Sequence, residues 1–194
     1  MTGDEALAGH DEALVAARVV WSTGSGPLTV VREDHSMSGL AALLAGKIEP
    51  GMYRWHAMFA AADVRHTVEL AGWRFAHDNG WIHEEQNEVL TALGTALSLP
   101  DGCGRDLDAF AACLNDVVAA DAKGTLLLWD GWAPFARADK EAFKATLDVL
   151  RTRVEAEQGG QFAVLLRGDG ERGGPFAAPS PGDGPEIADL PSLD

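Results

Sequence analysis

Leu99-Pro100-Asp101-Gly102-Cys103-Gly104-Arg105-Asp106-Leu107-Asp108-Ala109-Phe110-Ala111-Ala112-Cys113-Leu114 reads as a helix stop, a loop and a helix start in sequence. Pro100 closes whatever precedes it, because proline restricts its predecessor and has no N–H to donate. Gly102 and Gly104 give the loop backbone freedom. Asp106 stands where an N-cap belongs and Asp108 in the first turn beyond it. Leu107, Phe110, Leu114 and Val117 then recur at helical spacing, which predicts a short helix over Leu107–Val117.

Working upstream, Leu90, Leu93 and Leu97 mark a helix from about Glu84 to Leu97, preceded by a polar turn at Asp78-Asn79-Gly80 and a short strand, Trp73–Ala76. Before that strand a helix begins near Asp63 and stops at Gly72. Downstream, Thr125–Trp129 is wholly apolar, as a strand covered on both faces must be. Asp139 is placed to cap a long helix with Phe143, Leu147, Leu150 and Val154 on one side, and Phe162–Leu166 follows Gly159-Gly160 as a further apolar strand. Strands alternating with helices predict an α/β unit from Asp63 to Arg167, a small parallel three-stranded sheet packed with helices.

Two segments flank that unit. Residues 1–62 read as an N-terminal extension, with a hairpin of Arg18–Trp21 and Leu28–Val31 around Ser-Thr-Gly-Ser-Gly-Pro and a short helix over Ser38–Gly46. Residues 168–194 carry Asp169, Glu171, Asp183, Glu186, Asp189 and Asp194 against Arg172 in a Gly/Pro-rich context, which predicts an acidic disordered tail.

The chain's 30 acidic and 15 basic residues give a formal net charge of −15. Phosphate-directed binding of nucleic acid needs positive potential and is disfavoured. A basic protein is the partner such a charge attracts, while solubility alone is the plainer reading. The apolar runs Gly39–Gly46 and Thr125–Trp129 fall far short of a membrane span, and the start lacks a secretory leader pattern, so a cytoplasmic protein without membrane contact is expected. Cys103 and Cys113 form no disulfide framework and fit a reducing compartment, although a bridge stays open. Cys113, on or beside the core face, reads as packing, and Cys103 as the more reactive thiol. His10, His35, His56, His66, His77 and His83 show no paired ligand spacing, so neither a metal nor another cofactor is expected.

The Leu99–Leu114 stretch resembles the barstar family's segment: a proline, a short loop with glycine, an Asn-or-Asp, then Leu-Asp-Ala and Cys-Leu. The order of elements is similar too, with an apolar strand ending in Trp129, a long helix and a final aliphatic strand. What the resemblance implies is no enzyme but an inhibitor whose short helix and preceding loop enter the active site of a basic microbial ribonuclease or related toxin. Carboxylates on a rigid helix would there occupy the pocket that otherwise takes RNA phosphates. Carried onto this chain, the partner-binding residues are Asp101, Gly102, Gly104, Asp106, Asp108, Ala111, Ala112 and Asp116. Capping alone explains Asp106, and for Asp108 capping and partner binding stand side by side. The chain departs from the family's pattern at Gly102, where an aromatic is usual, at Ala111, where a Trp is, and at Ala112, where the strongest carboxylate is. Those departures predict that tight binding of barnase itself is lost.

Glu155 and Glu157 lie near further acids of the family's long helix, but Arg151 and Arg153, four residues earlier, make a solvated, self-paired face the simpler reading. Two enzyme readings are weak: Asp106-Leu107-Asp108 as a metal-binding pair has no second ligand cluster, and Gly39…Gly46-Lys47 lacks phosphate-loop spacing. The competing reading is an interaction module that keeps the scaffold and binds through the extension, with Trp21, Met52, Tyr53 and Trp55 as its surface.

Overall fold

The apolar stretches pair into one all-parallel sheet. The computed structural model describes residues 35–57, 59–117, 121–156, 159–168 and 187–193. The chain divides into two compact units, Met1–Val31 and Arg32–Asp194, and every described residue lies in the second. The expected hairpin, Trp21 and Glu157 lie outside the described residues.

In chain order the elements are α1 (His35–Leu44), β1 (Met52–Arg54), α2 (Ala61–Leu70), β2 (Arg74–Asn79), a 3-10 turn (Gly80–Ile82), α3 (Gln86–Ala96), α4 (Leu107–Asn115), β3 (Gly124–Asp130), α5 (Ala133–Ala138), α6 (Lys140–Glu155) and β4 (Gln161–Arg167). The strands lie in the order β1-β4-β3-β2. The three expected strands thus form a sheet, and the expectation of three is corrected to four. Met52, Tyr53 and Arg54 of the supposed extension pair with Val164, Leu165 and Leu166. Three residues with no apolar run are a weak strand signal, and only β4 as a template makes them one.

Side chains alternate between two cores. On one face Ala76, Leu127, Trp129, Phe162, Val164 and Leu166 meet the apolar stripes of α3, α4, α5 and α6. On the other Phe75, Leu126, Leu128, Ala163 and Leu165 meet Leu40 and Leu43 of α1 and Val64 and Val68 of α2. The connection from β1 to β2 runs across the sheet against the direction of the later two, so constant crossover handedness puts α2 on the opposite face.

Two boundaries of the sequence reading are corrected here. The division at residue 62 cuts through α2, and α1 and β1 belong to the same packed unit. The tail is not disordered along its whole length: Ile187, Leu190 and Leu193 are buried, Arg54 N–H donates to Pro191 O at 2.9 Å, and Leu193 N–H donates to Arg54 O at 3.0 Å. The chain end therefore covers the free edge of β1, which would otherwise present unpaired backbone groups. Gly39 makes room for it, since a Cβ there would fall 1.7 Å from Leu193 O.

The expected turn at Asp78-Asn79-Gly80 is strand up to Asn79, because β3 is long enough to pair Asp78 with Trp129 and Asn79 with Asp130. Asp78 is thereby buried at 5 % exposure, and its Oδ2 has no hydrogen-bond partner among the described residues. Burial raises its pKa, with Asp130 adding to the rise and His83 and His77 opposing it. The native carboxyl therefore holds its proton to higher pH than the unfolded one, and stability falls as pH rises from the unfolded pKa through the folded one. Asp78→Asn is expected to gain up to about 1 kcal/mol over the parent at pH 7 and to lose that advantage as pH falls below the carboxylate range. Urea unfolding at several pH values is the measurement, and a variant less stable than the parent throughout would show that the carboxylate is needed.

Candidate functional site

Ser98, at φ 57°, turns the chain out of α3, and Leu99 N–H donates back to Gly94 O at 2.8 Å. Two tight turns follow, with Cys103 N–H on Pro100 O and Arg105 N–H on Gly102 O. Gly102 sits at φ +90° with open space around it, so the turn demands glycine for its conformation. Gly104 is required for proximity: a Cβ would lie 2.5 Å from Thr91 Cα, so the loop rests directly on α3. A groove of about 260 Å³ runs beside it, lined by Thr91, Thr95, Leu99, Asp101 and Arg105 among others.

Asp106 caps α4 as expected, Oδ1 accepting from Ala109 N–H at 2.7 Å, while Arg105 Nε donates to Oδ2 at 2.9 Å. The Ala109 hydrogen bond first, then Arg105, holds its pKa below the ordinary carboxylate range. Both oxygens are thus engaged within the loop and helix start, and among the described residues no group of three or more His, Cys, Asp or Glu is placed to hold a metal. Asp108, Ala112 and Asp116 follow at four-residue intervals, all exposed, and form one stripe along α4. Ala111 beside them is half-buried, and Asp101 and Gly102 are exposed on the loop. The loop residues Asp101 to Asp106 and the Asp108 stripe belong to one continuous loop-helix unit.

That unit is stapled. Cys103 and Cys113 form a disulfide, with Cα atoms 5.9 Å apart. The expectations of a packing Cys113 and a reactive Cys103 are corrected, and so is the argument for a reducing compartment drawn from them. Cys103 is itself buried. No helix among the described residues is long and apolar enough to cross a membrane.

The extension's described aromatics offer no surface. Met52 and Trp55 are buried, and Tyr53 is half-buried with its hydroxyl donating to Glu49 O at 2.7 Å. They complete the sheet edge and pack into the two cores, so these three residues do not form the exposed surface of the competing reading, whose remaining residue, Trp21, lies outside the described residues. Arg153 is not on a solvated face: it is buried at 1 % exposure and, among the described residues, donates to backbone carbonyls, among them Leu114 O and Val117 O at the end of α4. Its position was legible, three residues beyond Leu150 on the apolar stripe of α6.

At the carboxyl ends of the strands a second polar cluster went unforeseen. Arg167 donates to both oxygens of Asp130, and His77 Nε2 lies 2.8 Å from Asp130 Oδ2. Arg167 also donates to Ala57 O at 3.1 Å and Phe59 O at 2.6 Å. Its work is to pin the segment between β1 and α2, and only the register of β3 with β4 brings Asp130 opposite Arg167.

A family model described as Barstar (barnase inhibitor) matches residues 73–167. Among solved structures, the chain is similar to the Aeropyrum pernix ORC2 protein in its ADPNP–ADP complexes, with 17 % identity and a TM-score of 0.46 over 73 % of this chain. This chain covers 41 % of that one. No curated protein matches.

Proposed function

Because residues 73–167 form a domain of the barstar family, we propose that the chain is a non-catalytic inhibitor of a basic microbial ribonuclease or related toxin. The observation that carries the reading is the exposed stripe Asp108–Ala112–Asp116 beside a loop held in one shape by Gly104 on α3 and by the disulfide. A rigid carboxylate array loses little freedom on binding and meets phosphate-binding cations in a fixed geometry. Alanine at positions 111 and 112 leaves the centre of the stripe without an anchor, so affinity rests on Asp101, Asp108 and Asp116 at its margins and on contacts outside it.

The test is RNA cleavage by a panel of purified barnase-fold ribonucleases, barnase included, titrated with the full chain. Inhibition is expected for at least one member, with association slowing as salt rises. Asp108→Ala is expected to weaken that complex more than tenfold, about 1.4 kcal/mol, with unfolding nearly unchanged. Asp106→Ala is expected to do the reverse, since the cap is lost while Asp108 stays in place. A panel that goes uninhibited would overturn the reading, and an Asp108→Ala variant that binds like the parent would make the stripe a solvated face.

A further inference from the structure

Two of the large apolar side chains exposed among the described residues stand side by side in the 3-10 turn after β2: Trp81 at 47 % and Ile82 at 75 % exposure. The Trp81 ring is not loose. A Cβ on Gly131 would come within 2.4 Å of Trp81 Cγ, and one on Gly168 within 2.7 Å of Cζ2. The indole therefore lies across the two glycine turns that end β3 and β4, one face on backbone and the rest in solvent. Gly131 N–H donates to Arg167 O at 2.8 Å, which ties those turns together beneath the ring. An aromatic held this way forfeits little rotamer freedom on binding, and tryptophan is the residue type most enriched among interface anchors.

The surroundings specify what fits. Glu84, Glu85 and Glu88 are exposed immediately after the turn. A shallow groove lined by His83, Asn87, Glu88 and Thr91 runs from there along α3, and Thr91 also lines the groove under the Asp101–Arg105 loop. The outer face of α3, about 16 Å long for its turns, joins the apolar pair to the acidic loop as one surface. Its one arginine, Arg105, is already paired with Asp106.

We propose that Trp81 and Ile82 are the apolar anchor of the partner interface. They fill a depression on the basic protein whose flanking lysines and arginines meet Glu84, Glu85 and Glu88, while the Asp101–Asp108 segment engages the same protein's phosphate-binding cations. This rests on the inhibitor reading and supplies what Ala111 and Ala112 remove from the helix: the interface is displaced along α3 towards the 3-10 turn. A second copy of this chain is a poor occupant, because its net charge of −15 repels its like.

The experiment is amide hydrogen exchange on the full chain with and without the ribonuclease of the panel that it inhibits, followed by titration of Ile82→Ser and Trp81→Ala. Protection is expected over both 81–88 and 101–108, and each substitution is expected to weaken binding at least tenfold. Ile82→Ser guards against misfolding, since that side chain is mostly in solvent. Protection of 101–108 alone, with Ile82→Ser binding like the parent, would overturn this inference and leave the inhibitor reading standing. Protection of 81–88 alone would overturn the inhibitor reading's site, and with it the joint interface proposed here. A panel without binders would overturn both, as would concentration-dependent self-association that buries Trp81.

Discussion

Arg153→Ala is expected to lower the free energy of unfolding by about 4 kcal/mol, the largest effect of any single substitution considered for this chain. The guanidinium is buried and, among the described residues, has no carboxylate paired with it. It is held by carbonyl oxygens: Nε donates to Leu114 O at 3.2 Å, and Nη2 to Val117 O at 3.0 Å and Gly159 O at 3.2 Å. Its carbon lies 4.9 Å from the centre of the Phe162 ring. Those carbonyls belong to the end of α4 and to the turn before β4, so one side chain closes α4 against α6 and the sheet. Desolvation lowers its pKa, and the converging carbonyl dipoles are what the charge has in place of water. Truncation leaves several buried acceptors without donors and opens a cavity beside Phe162, two of the mechanisms behind large losses. Arg153→Lys should not restore the parent, because an ammonium is a single point where this site takes a fork. Urea unfolding of both variants is the measurement. A loss below about 1 kcal/mol for Arg153→Ala would mean that water replaces the fork without penalty.

The contrast between Arg153 and Asp106 shows what was legible in the sequence. Asp106 acts within three residues of itself, so its cap could be read directly, as could that of Asp139, which accepts from Ala142 N–H at 2.9 Å. β3 and β4 announced themselves by apolar runs, and α3, α4 and α6 by their stripes, while only the first half of β2 was read as strand. What failed depended on partners distant in sequence. Met52–Arg54 is a strand because β4 lies beside it, and Ile187, Leu190 and Leu193 are ordered because β1 needs its edge covered. In the site, spacing gave only the cap at Asp106 and the first-turn place of Asp108, while the choice of the loop and stripe acids as partner-binding came from the resemblance to the barstar family. Trp81 was not, because its exposure matters only once Gly131 and Gly168, from two other strand ends, are seen to hold its ring.

Reduction of the Cys103–Cys113 bond is expected to lower the free energy of unfolding by about 3 kcal/mol, the value for a closed ring of roughly this size. The bond joins residues ten apart, and its ring contains Arg105, Asp106, Asp108, Ala111 and Ala112. In the folded chain the ring ends are already near each other through the Gly104 contact with α3 and the cap on Ala109, so the bond adds little native contact. Its main effect is on the unfolded ensemble, which loses the freedom of that segment when the bond is closed. Urea unfolding of the full chain with and without dithiothreitol, set against a Cys103→Ala/Cys113→Ala variant, measures it. The reduced parent and the double variant should agree with each other within about 0.5 kcal/mol and both fall below the oxidised parent. Local opening should follow the same order, with faster hydrogen exchange over 101–106 on reduction, because the loop then keeps its turn hydrogen bonds, the Gly104 contact and the Asp106 cap but loses the covalent tie. Binding should weaken with it, since a loosened acidic loop must be ordered again on every encounter with a cationic partner. If oxidised and reduced chains unfold at the same urea concentration and bind alike, the packing of Gly104 on Thr91 is what fixes the loop, and the disulfide is incidental to its shape.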